Sequence, residues 1–198
     1  MKIGVVDYGM GNLTSVINAL QFLEMDVDLI DDPDQFCEFD KFILPGVGAF
    51  GKAMCRLNET GLDEAILEAA SQNKRIVGIC LGMQLLFSKS YEFGEHDGLD
   101  LIKGEVIPFR ERTDLRVPHM GWNTIESKSD EFASFNDDYY FVHSFYCVPE
   151  NKKNVLFQTS HGIDFCSGAY VNGNIFGLQF HPEKSQKKGL ELLSTLLG

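Results

Sequence analysis

The sequence predicts an α/β fold: a mixed, mostly parallel central sheet flanked by helices, with an added antiparallel β portion. Three observations carry that reading. Up to Phe87, short apolar runs of strand length alternate with helical apolar spacing, the pattern of a parallel sheet. From Gly104 to Phe180, short β-rich pieces recur with no convincing long helix between them. The length of 198 residues, 44% hydrophobic, suits one domain spanning 1–198 around a single large core.

Lys2 to Val6 reads as a short strand ending at Asp7, after which Tyr8-Gly9-Met10-Gly11-Asn12 turns into a helix with Val16, Ile17, Leu20 and Leu23 apolar. Gly9 and Gly11 resemble the start of a dinucleotide fingerprint, with Asp31 or Asp32 about 20 residues on. That reading is rejected because Thr14 replaces the third glycine and Asp7 would set a carboxylate beside a pyrophosphate. Val27 to Ile30 and Lys41 to Leu44 are further strands, separated by the polar turn Asp31-Asp32-Pro33-Asp34. A helix over Leu62 to Ala70 leads into a strand over Arg75 to Ile79, and Met83 to Phe87 has the composition of a buried helix. Lys89 to Leu99 is mostly polar and is expected to be a mobile loop. The β-rich pieces are Gly104 to Phe109, Asn123 to Ile125, Tyr139 to Val148, Val155 to Thr159, Phe165 to Val171 and Asn174 to Phe180. A last helix runs from about Lys187 to Leu197, with Leu190, Leu192, Leu193, Leu196 and Leu197 toward the core.

A net charge of -12 argues against nucleic acid or an anionic membrane as partner, because no basic stripe offsets phosphate repulsion. The five cysteines are scattered and form no C-x-x-C pair, so neither a disulfide framework nor a zinc site is indicated. That pattern suits a reducing cytosol. The N-terminus enters a strand directly, which argues against a signal peptide or membrane span and for a cytoplasmic protein.

Cys80 stands between the strand and the helical run, with Gly78 and Gly82 two positions away on either side. A tight strand-to-helix turn needs that spacing, since side chains there would collide; the G-x-S-x-G nucleophile elbow follows the same logic. A helix starting just after Cys80 would favour thiolate and offer N–H groups to an oxyanion. The bland alternative is a buried cysteine in a turn. Pro45-Gly46-Val47-Gly48 follows another strand, and two glycines there allow N–H groups to point into a cleft, although a plain β-turn has the same composition. Near the C-terminus an apolar strand ends in His181-Pro182-Glu183. His181 supplies the base that Cys80 requires, and Glu183 would hold its imidazole in one tautomer. Glu92 could reach a substrate ammonium or be a solvated loop residue; His143, between aromatics, reads as structural or substrate-lining rather than a rival base. A cysteine protease or a non-catalytic binding subunit fits these residues less well.

Gly78-Ile79-Cys80-Leu81-Gly82, His181-Pro182-Glu183 and Pro45-Gly46-Val47-Gly48 together resemble the class I (triad) glutamine amidotransferases, which release ammonia from glutamine through a cysteinyl thioester. Asp7-Tyr8-Gly9-Met10-Gly11-Asn12, Pro118-His119-Met120-Gly121-Trp122-Asn123, Val142-His143-Ser144 and His181-Pro182-Glu183-Lys184-Ser185 are similar to the branch of that family serving imidazole glycerol phosphate synthesis. The resemblance implies a flavodoxin-like amidotransferase fold, no cofactor or metal, glutamine as substrate, and a (β/α)8-barrel cyclase as heterodimer partner in histidine biosynthesis. It implies Cys80, His181 and Glu183 as the triad, and Leu81 with Val47 or Gly48 as oxyanion donors. Gly46, Gln84, Glu92, His143, Ser144 and Phe145 would surround glutamine, and Trp122, Tyr140 and Lys184 would lie near the partner. Phe145 stands where that branch is expected to carry a tyrosine, which matters little if only its backbone touches glutamine. A paralogous amidotransferase feeding a different synthase, such as one making an amidine-bearing sugar, is the alternative.

Overall fold

A computed structural model describes residues 1–110 and 112–198. The first half alternates strands and helices: β1 (Lys2–Val6), α1 (Leu13–Phe22), β2 (Asp26–Ile30), β3 (Lys41–Leu44), α2 (Phe50–Thr60), α3 (Leu62–Ser71), β4 (Arg75–Ile79) and α4 (Leu81–Leu85). Then come β5 (Phe87–Ser90), β6 (His96–Asp97), β7 (Ile102–Pro108), β8 (His119–Thr124), β9 (Glu126–Ser127) and β10 (Asp138–His143). The chain closes with β11 (Phe145–Pro149), β12 (Val155–Ser160), β13 (Asp164–Val171), β14 (Ile175–Leu178) and α5 (Gln186–Leu197).

The main sheet runs in the order β2-β1-β3-β4-β14-β13-β11-β7-β5-β6. Strands β2 to β14 in that order are parallel, and β14 then pairs antiparallel with β13, so the two halves of the sequence share one sheet. Parallel strands buried on both faces need apolar side chains on both. Val6, Phe42, Leu44 and Ile76 point toward α2, α3 and α4, while Val5, Ile43, Val77 and Ile79 point toward α1 and α5. The pairing that matters most for the site is β4 with β14, in the register Ile76↔Ile175 through Ile79↔Leu178. Their carboxyl ends therefore finish side by side, 99 residues apart in the chain.

Four elements differ from the sequence expectation. Helix α2 was not anticipated, although Phe50, Ala53, Met54 and Leu57 are all buried at helical spacing. Helix α4 starts at Leu81 and ends at Leu85, and Phe87 already belongs to β5, because the fully buried Phe87 continues into strand pairing with β7. Tyr139 to Val148 is two strands broken at Ser144: β10 pairs with β8 in a separate two-stranded ribbon, whereas β11 joins the main sheet. The Lys89–Leu99 stretch is partly strand, since Lys89 and Ser90 pair with Asp97 and His96 in a hairpin. Among the described residues no helix is long and apolar enough to cross a membrane.

Candidate active site

Cys80 caps β4 in a strained conformation, with φ 56° and ψ −111°. A non-glycine residue held in such a sparsely populated region costs on the order of 1–3 kcal/mol, and the surroundings enforce it here. Its N–H donates to the Leu178 carbonyl at 2.7 Å, extending the β4–β14 ladder by one bond. A Cβ on Gly78 would come within 2.6 Å of the Gly82 carbonyl oxygen, and one on Gly82 within 1.7 Å of the Leu44 carbonyl oxygen. Both glycines are thus required by close backbone approach. The chain enters α4 at once, so the Leu81 N–H is among the helix-start donors that lack an intrahelical partner.

His181 follows the end of β14 and faces the Cys80 thiol. Its N–H donates to the Tyr140 carbonyl at 2.9 Å, and its own carbonyl accepts from Ser185 Oγ at 2.6 Å. Nδ1 lies 2.8 Å from Glu183 Oε1, with both side chains almost fully buried. Nε2 has no hydrogen-bond partner among the described residues. Burial alone would lower the imidazole pKa, but interaction with Cys80, followed by that with Glu183, overrides it and raises the value to about 9.

The thiol opens into a cleft of about 380 Å³, at the small end of the range for ligand sites. Val47, Gly48, Leu81, Gln84, Glu92, His143, Ser144 and Phe145 all line it. Gly46 does not. It is buried behind the turn, where a Cβ would come 2.4 Å from the Tyr8 hydroxyl, and Tyr8 donates that hydroxyl to the Pro45 carbonyl at 2.9 Å. Trp122, Tyr140 and Lys184 lie outside the cleft, with Trp122 half exposed and edge-on to Tyr140 at 6.2 Å between ring centroids. The Tyr140 ring is in turn 6.4 Å from the His181 ring.

His143 is held in a chain of hydrogen bonds. Its Nδ1 donates to the Phe145 carbonyl at 2.7 Å, which leaves Nε2 as the acceptor facing His119 Nδ1 at 2.9 Å. His119 Nε2 in turn faces Asn123 Nδ2 at 3.0 Å. One tautomer of each neutral ring satisfies every link. Burial, the largest cause in both, lowers His143 to about 3 and His119 to about 4. Both rings are thereby held neutral at pH 7. The Phe145 carbonyl also accepts from Gln84 Nε2 at 3.2 Å.

Sequence reasoning missed Pro118 and Val142 on the cleft wall, the latter with its carbonyl 3.9 Å from Cys80 Sγ. It also missed Tyr8 as the prop behind the glycine turn. Tyr8 carried a signal, as the one aromatic in a glycine-rich turn; Pro118 and Val142 stood in the motifs of the resemblance without being given a place at the site. Among the described residues, no group of three or more His, Cys, Asp or Glu side chains is arranged to hold a metal ion.

A nucleophile elbow beside a buried His–Glu pair, on the carboxyl edge of a parallel sheet, defines a class of cysteine-dependent acyl-transfer sites. The family description "Glutamine amidotransferase class-I" matches residues 4–196, and the chain belongs to that family. It is 49% identical over 199 residues to imidazole glycerol phosphate synthase subunit HisH of Sulfurimonas denitrificans, covering 98% of this chain and 96% of that one. The HisH subunit of Wolinella succinogenes is 46% identical over 98% of this chain and 97% of its own. That of Aquifex aeolicus is 47% identical over 98% and 95%. In fold, the chain resembles a crystal structure of a glutamine amidotransferase with a TM-score of 0.79 at 16% identity, covering 98% and 96% of the two chains. The structure of PurLQS from Thermotoga maritima gives 0.78 at 19% identity, covering 99% and 97%.

Proposed function

We propose that this chain is the glutaminase of an imidazole glycerol phosphate synthase. It hydrolyses glutamine to glutamate and ammonia and passes the ammonia to a (β/α)8-barrel cyclase in histidine biosynthesis. The observation that carries the reading is the conjunction at the ends of β4 and β14. There, a strained cysteine opens into a cleft beside a histidine that is anchored by a buried carboxylate through one nitrogen and free at the other. The relatives named above, similar over nearly their whole length, support the choice of synthase.

In this mechanism the Cys80 thiolate adds to the γ-carboxamide carbon of glutamine. A C–S bond forms, and the carbonyl electron pair moves to oxygen, which accepts from the N–H of Leu81 and from that of Val47 or Gly48. Collapse breaks the C–N bond; the proton carried by His181 goes to the leaving nitrogen, giving ammonia and a γ-glutamyl thioester. Neutral His181 then takes a proton from water as it attacks the thioester, which releases glutamate and restores the thiolate. Glu183 holds the imidazole with Nε2 toward the sulfur throughout. Gln84, Glu92 and the backbone at Ser144 and Phe145 orient glutamine, and Trp122, Tyr140 and Lys184 meet the cyclase.

Cys80→Ala tests this in the assembled complex. Glutamine-driven synthesis is expected to fall by about 10⁴-fold or more, while synthesis from added ammonium persists, because the thiolate serves only to generate ammonia. Loss of both activities would contradict the division of labour.

A further inference from the structure

We infer that Glu92 does two jobs with one carboxylate. It takes the α-ammonium of glutamine, as the reading above holds, and it is also the positioning residue that pins the turn carrying the oxyanion donors. Filling the cleft and setting that turn are then a single event. The tie itself is visible without the substrate. Val47 and Gly48 line the cleft, and after Ala49 the chain enters α2 at Phe50. A helix start needs acceptors for its first N–H groups, and Ala49 at the cap position offers no side chain for the purpose. Glu92 supplies the acceptor from 42 residues away: its Oε2 receives the Phe50 N–H at 2.6 Å.

The hairpin that carries Glu92 is itself clamped to the same helix turn. A Cβ on Gly51 would come 2.6 Å from the His96 ring, so that ring lies flat against the first turn of α2. Ser90 and His96 are paired across the hairpin, and the Glu92 N–H donates to Ser90 Oγ at 3.3 Å. On the other side of Phe50, Gly48 sits at φ 106°, a conformation that glycine leaves as readily as it enters. The donors of the turn therefore depend on what fixes Phe50. Glu92 also belongs to the lining of the cleft. A cation bound there shares its carboxylate with the anchor of the turn.

Two substitutions separate the jobs. Glu92→Gln keeps an acceptor oxygen for the Phe50 N–H but loses the charge that receives an ammonium; Glu92→Ala loses both. With the cyclase present and glutamate release as readout, Glu92→Gln is expected to raise KM for glutamine by about 10- to 100-fold, with kcat falling less than about threefold. Glu92→Ala is expected to raise KM similarly and also to lower kcat by about 10²-fold, the cost of misplacing an oxyanion donor. In the Cys80→Ala background, exchange of the Phe50 amide is expected to quicken at least about tenfold with Glu92→Ala and to stay slow with Glu92→Gln. Should Glu92→Ala not fold, Glu92→Asp replaces it, since the charge is kept but withdrawn by one methylene; kcat should fall and Phe50 exchange quicken. Equal kcat in the Gln and Ala (or Asp) variants, or Phe50 exchange indifferent to the loss of the acceptor, overturns the inference. Failure of the unaltered complex to release glutamate would instead overturn the functional reading, while the exchange measurement still reports on the tie.

Discussion

Two buried histidine sites lie within one cleft's reach and behave as opposites. At His181 the imidazole faces a carboxylate and a thiol, its pKa rises to about 9, and Nε2 and Glu183 Oε2 are left without hydrogen-bond partners among the described residues. At His119 and His143 every ring nitrogen has a neighbour in an uncharged chain, and the values fall to about 4 and about 3. Burial is common to both and pushes both downward. What separates them is the partner, since an anion reverses the effect of desolvation and a neutral donor or acceptor does not. The contrast also separates roles: unsatisfied polar atoms remain where a reacting group is to arrive, and satisfied ones where the structure only needs to hold shape.

Removing each ring tests the contrast most severely. His181→Ala is expected to cut glutamine-dependent turnover by about 10⁴-fold, the scale on which the loss of one member of a cooperating triad is felt. His119→Phe keeps the ring volume but leaves His143 Nε2 without its donor; a loss of about 1–3 kcal/mol in stability with turnover reduced less than tenfold is expected. Comparable losses of turnover in the two variants would erase the distinction. A smaller effect sharpens it: Glu183→Gln removes one of the two groups that raise His181, so its titration, followed by imidazole NMR, should move down from about 9.

The two sites should also bend the pH dependence of stability in opposite senses. His181 has a folded pKa above the unfolded value of about 6.5, so its contribution is full below that value and fades as pH rises through about 9. His119 and His143 have folded values below it, so the unfolded chain binds more protons, and stability is lost as pH falls from about 6.5 toward about 4 and about 3. Denaturant midpoints across this range should show both slopes. Glu183→Gln should flatten only the alkaline one, and His119→Phe only the acid one.

The parts of this arrangement that are local in sequence could be read from it. Gly78, Cys80 and Gly82 announce an elbow because the collision Gly78 avoids is with Gly82, four residues on, and His181 and Glu183 announce a pair because Pro182 alone separates them. What brings the two together is the β4–β14 pairing, and no feature of either strand names the other. The resemblance to a known family bridged that gap, where periodicity did not. Helix α2 is legible in the spacing of Phe50, Ala53, Met54 and Leu57, all buried, although the glycines just before it mask its start. The break at Ser144 was not legible: β10 and β11 are both rich in aromatics, and only their partners, β8 and β7, divide them. The same holds for the imidazole chain, whose members come from separate strands.

Strand β14 is bonded along one edge to β4 and along the other to β13, so it is an interior plank of the sheet with no freedom to slide. The histidine it delivers is consequently fixed relative to the sulfur, apart from rotation of its own side-chain bonds. An enzyme built this way has little means of idling by drawing its acid and its nucleophile apart. If it has a resting state, the throttle has to sit in the glycine turn ahead of α2, which belongs to no strand, and in its tie to the hairpin at the far edge of the sheet.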